Sequence, residues 1–88
     1  MKIDQILFTK LVGAMMPDEY AAWSGVCNMP TRKRPIQELA ADLIEARYQS
    51  HLDAGELALA GLLRGQFPEL KESFDQTDAD LRDEIGNN

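Results

Sequence analysis

The chain is poor in the residues that carry most enzyme chemistry. Its 88 residues include one cysteine, one histidine and one tryptophan. A lone cysteine, Cys27, excludes an internal disulfide framework and any cysteine-based zinc cluster, and it fits a reducing compartment. The one histidine, His51, follows Ser50, but adjacent residues on a helix point about 100° apart and cannot form a hydrogen-bonded dyad. Gly55, Gly61 and Gly65 punctuate apolar sequence and lack the following lysine and serine or threonine of a phosphate cradle. No catalytic residue, metal site or cofactor is therefore expected. Long hydrophobic runs are also missing. The opening MKIDQILFTKLVGAMM is interrupted by Asp4, Gln5 and Lys10, which reads as neither a signal peptide nor a membrane span, so the expected location is cytoplasmic, with no membrane partner. No stretch alternates with period two for long enough to make a strand, and no internal repeat is visible.

What is present is apolar and acidic. Hydrophobic residues make up 44% of the chain and the net charge is −6, with a pI near 4.6. That charge disfavours non-specific binding to nucleic acid or to an anionic membrane, and it favours protein partners. A single helical domain over residues 1–88 is expected, fraying at 86–88. Such a chain buries only roughly 60 to 65% of the surface exposed when unfolded, so stability should be modest and a homodimer would add to it.

The organising stretch is Pro35 to Leu52, PIQELAADLIEARYQSHL. At 100° per residue Ile36, Leu39, Ala40, Leu43 and Ile44 share one face, while Glu38, Asp42, Glu45, Gln49 and Asp53 share the other. Pro35 suits the first helical position. Tyr48 and Leu52 drift around the cylinder, which predicts that the two halves of this helix touch different neighbours. Arg47 falls in the apolar stripe with no acid one turn away, so a carboxylate from the acidic carboxy-terminal segment or from a second subunit is expected to pair with it, making it a possible anchor.

Around this helix the spacing predicts an all-α bundle of four to six helices. Ile3, Ile6, Leu7, Leu11 and Ala14 give a first helix, closed by Pro17. Pro17, Asp18 and Glu19 open a short second one that runs to about Val26, with Tyr20 and Trp23 three apart on it. Cys27 to Arg34 has no periodicity and reads as an extended loop. Asp53-Ala54-Gly55-Glu56 has the spacing of a capping box, which predicts a break there, although one long helix from Pro35 to Arg64 is the alternative. Leu57, Leu59, Leu62 and Leu63 make the next segment apolar nearly all round, which predicts burial, and Gly61 and Gly65 would let another backbone approach. Pro68 and Glu69 head a brief helix, and Thr77 is placed to cap a last one carrying an Asp78–Arg82 pair.

Three features bear on function. The cluster Arg32-Lys33-Arg34 lies just before the positive end of the central helix, where cations repel the dipole and call for an anion. The row Glu38, Asp42, Glu45 and Asp53 offers an acidic, partner-binding face. Ala21-Ala22-Trp23-Ser24-Gly25-Val26 looks like the first helix and turn of a helix-turn-helix, but Pro30 and Pro35 interrupt the recognition helix that should follow. The expected function is a small, acidic, non-enzymatic regulator, adaptor or inhibitor that binds another protein and occludes a basic nucleic-acid-binding surface, of the kind found among phage and mobile-element accessory proteins. A DNA-binding regulator using Arg32 to Arg34 is the competing class, and nucleic acid is the less favoured partner.

Overall fold

The computed structural model describes residues 3–86, with side chains described for residues 3–83. Five α-helices and one short 3-10 turn make up these residues, with no strand among them: α1 Gln5–Ala14, α2 Pro17–Cys27, α3 Ile36–Asp53, α4 Leu57–Gln66, the turn Pro68–Leu70 and α5 Lys71–Gly86. The expected all-α class is what the described residues form, and α3, with 18 residues, is the longest helix among them. The fraying expected at 87 and 88 lies outside the described residues. The chain divides into two compact units, residues 1–44 and 45–88, and the boundary falls inside α3.

In the first unit Asp4 caps α1, its side chain accepting the N–H of Leu7 at 2.8 Å. Pro17 opens α2, and the Glu19 carboxylate accepts the Met16 N–H at 2.8 Å, so two otherwise unpaired ends are closed by residues the sequence places there. Leu7, Leu11, Ala40, Ala41 and Ile44 are buried, whereas α2 buries no residue fully. Pro35 sits one residue before α3, where its carbonyl accepts the N–H of Leu39 at 3.2 Å.

In the second unit Tyr48, Ala60, Leu63, Phe67, Leu70 and Phe74 are buried. The buried stripe of α3 as a whole runs through Ala40, Ala41, Ile44 and Tyr48, while Ile36, Leu39 and Leu43 are only half-buried. It is rotated by about 90° from the stripe that periodicity alone suggests, toward Tyr48, taking the helix angle as 100° per residue. The break after α3 exists, but a glycine makes it and not a capping box. Gly55 has φ +74. The N–H of Glu56 bonds the His51 carbonyl at 2.7 Å and the N–H of Gly55 bonds the Leu52 carbonyl at 3.0 Å, the paired closure of a Schellman end. Asp53 is the last residue of α3, and Glu56 is the α4 N-cap with no side-chain cap bond.

Two further expectations are corrected. Thr77 lies inside α5, its hydroxyl donating to the Ser73 carbonyl at 3.1 Å, so no new helix starts there. In α4 only Ala60 and Leu63 are buried, whereas Leu57 is 69%, Leu62 68% and Leu59 43% exposed.

The capping geometry yields a paired expectation. Gly55→Ala forces a Cβ into a left-handed position and should cost about 1 kcal/mol. Asp53→Ala should change stability by less than about 0.5 kcal/mol, because it removes only an exposed side chain. Urea denaturation of the two variants checks both, and a larger loss at Asp53 than at Gly55 would restore the capping box.

Candidate functional site

Arg64 on α4 is hydrogen-bonded to three side chains of the second unit. Its Nε donates to the Tyr48 hydroxyl at 2.8 Å, and its Nη2 donates to Asp75 Oδ1 at 2.9 Å and Asp78 Oδ2 at 2.6 Å. The Tyr48 hydroxyl donates in turn to Asp78 Oδ1 at 2.8 Å. The guanidinium carbon lies 5.2 Å from the Tyr48 ring centre and 5.8 Å from that of Phe74, and the two rings stack at 4.4 Å. Lys71 donates to Asp75 at 2.8 Å. Burial opposes the Arg64 charge, but the hydrogen bonds it donates to Tyr48, Asp75 and Asp78 outweigh it and hold its pKa above the ordinary arginine value. Burial, with the Asp78 hydrogen bond, pushes the Tyr48 hydroxyl up. Lys71 first and Arg64 second hold Asp75 below 3.8.

This network joins side chains of α3, α4 and α5 and uses three of the five N–H groups of the guanidinium on residues of the chain itself, so its role is structural. Sequence reasoning missed Arg64, because its carboxylates stand 11 and 14 residues away. Arg64, on α4, is the residue seen paired with the carboxy-terminal acids Asp75 and Asp78. Arg47 is half-buried, beside the buried stripe of α3.

The acidic row is less open than a solvated face. Glu38, Asp42 and Glu45 are half-buried, and of the four only Asp53 is exposed. Asp42 is salt-bridged to Arg34, so the anion required near the basic loop comes, for Arg34, from α3 itself. The Arg32 guanidinium donates to the Arg34 carbonyl at 2.8 Å, and Arg32, Lys33 and Arg34 all stand exposed. The loop is not fully extended: the N–H of Arg32 closes a turn onto the Met29 carbonyl at 3.1 Å. It is also anchored at its far end, where Trp23 Nε1 donates to the Ile36 carbonyl at 3.0 Å.

Trp23 belongs to an aromatic group. Its ring lies 5.9 Å from Phe8 and 5.6 Å from Tyr20, both tilted by 59°. On α2 the positions of Tyr20, Trp23 and Cys27 recur every three or four residues and so form one stripe, which the N-cap residue Met16 begins four positions before Tyr20. Met16 is 58% and Tyr20 49% exposed, and Met29, in the basic loop, is 55% exposed. Trp23 and Cys27 are half-buried. The first unit thus presents an apolar strip that ends at exposed cations. Among the described residues no three His, Cys, Asp or Glu side chains could hold a metal ion, and no helix is long and apolar enough to cross a membrane.

Comparison with protein families, with characterised proteins and with solved structures found no match.

The Arg64 network generates an acid-sensitivity expectation. Asp75 has a folded pKa below its ordinary value, so its contribution is fully present above that value of 3.8 and is lost as pH falls through the lower folded value. Arg64→Met should cost about 1 to 3 kcal/mol at neutral pH, the range for hydrogen bonds to a charged group discounted for partial exposure. It should also flatten the fall in stability below pH 4, roughly the ordinary carboxylate range. Thermal melts from pH 2.5 to 7 read both effects. An equal loss at every pH would show that Arg64 acts through packing alone.

Proposed function

We propose that the chain is a non-enzymatic regulator or adaptor that binds another protein through the α2 stripe Met16, Tyr20, Trp23 and Cys27, with Met29 and the basic loop at its end. The single observation that carries this reading is the exposure of Met16, Tyr20 and Met29 on a surface whose end is held by the Trp23–Ile36 bond. Methionine and tyrosine are favoured at recognition surfaces because one adapts its shape and the other offers rigid area with a polar tip. The segment that fits is amphipathic, with apolar anchors for the stripe and a carboxylate at one end for Arg32 and Lys33. Reducing, intracellular surroundings suit the free Cys27.

Inhibition by occlusion is a second reading, and the charge distribution favours it. Residues 1–44 hold five Lys or Arg against five acids, and residues 45–88 hold four against ten, so the second unit carries the whole net charge of −6. Its field would steer the protein toward a basic surface, such as one that otherwise takes nucleic acid. Helix-turn-helix DNA binding is weighed down by geometry: residues 28–35 carry no helix where a recognition helix is required. The turn at 54–56 leads into α4, whose sequence offers few base-reading donors.

A photo-crosslinking residue at Tyr20, expressed in the native host and followed by mass spectrometry, should capture one protein. Arg32→Glu with Lys33→Glu should reduce that capture at least tenfold, and adding the purified partner should shift the emission of Trp23, the only tryptophan. Capture that is indifferent to the basic loop would overturn the reading. Retardation of duplex DNA at physiological salt, with a log–log salt slope of about −0.9 per phosphate contacted, would instead establish the DNA regulator.

A further inference from the structure

The α4 helix leaves a second surface uncovered, and it differs in character from the α2 stripe. Taken at 100° per residue, Leu57, Gly61, Gly65, Ala58 and Leu62 fall in order around one side of α4, and all five are exposed. No charged residue interrupts them. A Cβ built on Gly61 or Gly65 meets no atom within 4 Å, so among the described residues nothing outside α4 crowds that side of either glycine. At the amino end of this side Leu57 projects, 69% exposed. At the carboxy end Gly65, Pro68 and Phe74 line an open, mostly apolar cavity, with Arg64 and Lys71 beside them. One face therefore carries both a knob and a hole.

We propose that this face is the interface of a two-fold homodimer in which α4 pairs antiparallel with α4 of a second copy, crossing at Gly61. That crossing sets residue 57 opposite residue 65, because each is four positions from the centre. Leu57 of each copy then enters the cavity beside Gly65 of the other, which is the self-complementarity an isologous interface requires. The charges agree with this direction and not with a parallel one. Glu56, with a side chain 47% exposed, comes to lie beside Lys71 of the second copy, whose side chain is 73% exposed. The size sets the strength. A helix of ten residues is about 15 Å long and buries less than the roughly 800 Å² per partner of a stable complex, so the dimer is weak and reversible.

Sedimentation velocity from 5 to 500 µM, with a reducing agent present to exclude a Cys27 disulfide, tests the assembly. A concentration-dependent monomer–dimer equilibrium is expected. Gly61→Gln separates interface from fold, because glutamine is the better helix former and has open space in the monomer. The variant should melt at the same temperature or higher and yet dimerise at least tenfold more weakly. Glu56→Lys and Lys71→Glu should each weaken self-association several-fold, and mixing the two variants should restore a heterodimer. A chain that stays monomeric to 500 µM, a Gly61→Gln variant that dimerises as well as the parent, or single-charge variants that do not complement one another on mixing would each overturn the antiparallel α4 dimer. In the first case the face would be left for a different protein.

Discussion

The second unit depends on one guanidinium. Arg64 is held by the Tyr48 hydroxyl and by the carboxylates of Asp75 and Asp78 while its flat face lies near two stacked rings. Each of these contacts alone would contribute modestly at this degree of exposure. Together they fix the rotation of α4 and α5 about their own axes, because a planar donor group engaged on several edges tolerates little turning. The buried residues Leu63, Phe67, Leu70 and Phe74 supply the larger apolar stabilisation, and the polar network selects one arrangement of them.

That arrangement explains how an acidic chain contains its own repulsion. Arg34 takes Asp42, Lys71 and Arg64 share Asp75, and Arg64 takes Asp78. Several acids that look available for recognition are thus committed within the chain. The surfaces proposed above for recognition are mainly apolar: the methionine and tyrosine stripe on α2 and the leucine and glycine side of α4. Specificity in such a protein comes from shape and from a few charges at the rim more than from a broad acidic face.

The first helices were legible from apolar spacing and from Pro17 with the acids after it, which are local signals, whereas Asp53 and Thr77, the caps read from sequence, are not caps. The cap that closes α1, Asp4, acts within one turn. The facing of α3 was harder to read. Periodicity returns a mean apolar direction, whereas the halves of this helix belong to different units, and its most buried aromatic, Tyr48, carries a polar hydroxyl that finds its partners 16 and 30 residues away. Thr77 misled for a similar reason, since a threonine hydroxyl can cap a helix or bond back to the carbonyl one turn earlier, and sequence alone does not distinguish the two. The leucines of α4 misled in the opposite direction: being apolar nearly all round suggests burial, but burial requires neighbours on every side. As to the candidate site, the basic loop was visible as a charge cluster and the Tyr20–Trp23 pair as a spacing. Neither the Trp23 bond to Ile36 nor the commitment of Asp42 could be read without coordinates.

The first unit contains a helix that is formed and yet weakly held. α2 buries none of its residues fully, and it is retained by its proline start, its Glu19 cap and the half-buried ring of Trp23. Local opening of such an element needs far less free energy than global unfolding, so its amides should exchange with solvent through small fluctuations while those around Phe67 and Phe74 wait for the whole unit to open. Were α2 the binding helix proposed above, it would be plastic before it binds. Part of any partner's intrinsic affinity is then consumed in ordering it, and the complex gains adaptability at the expense of tightness.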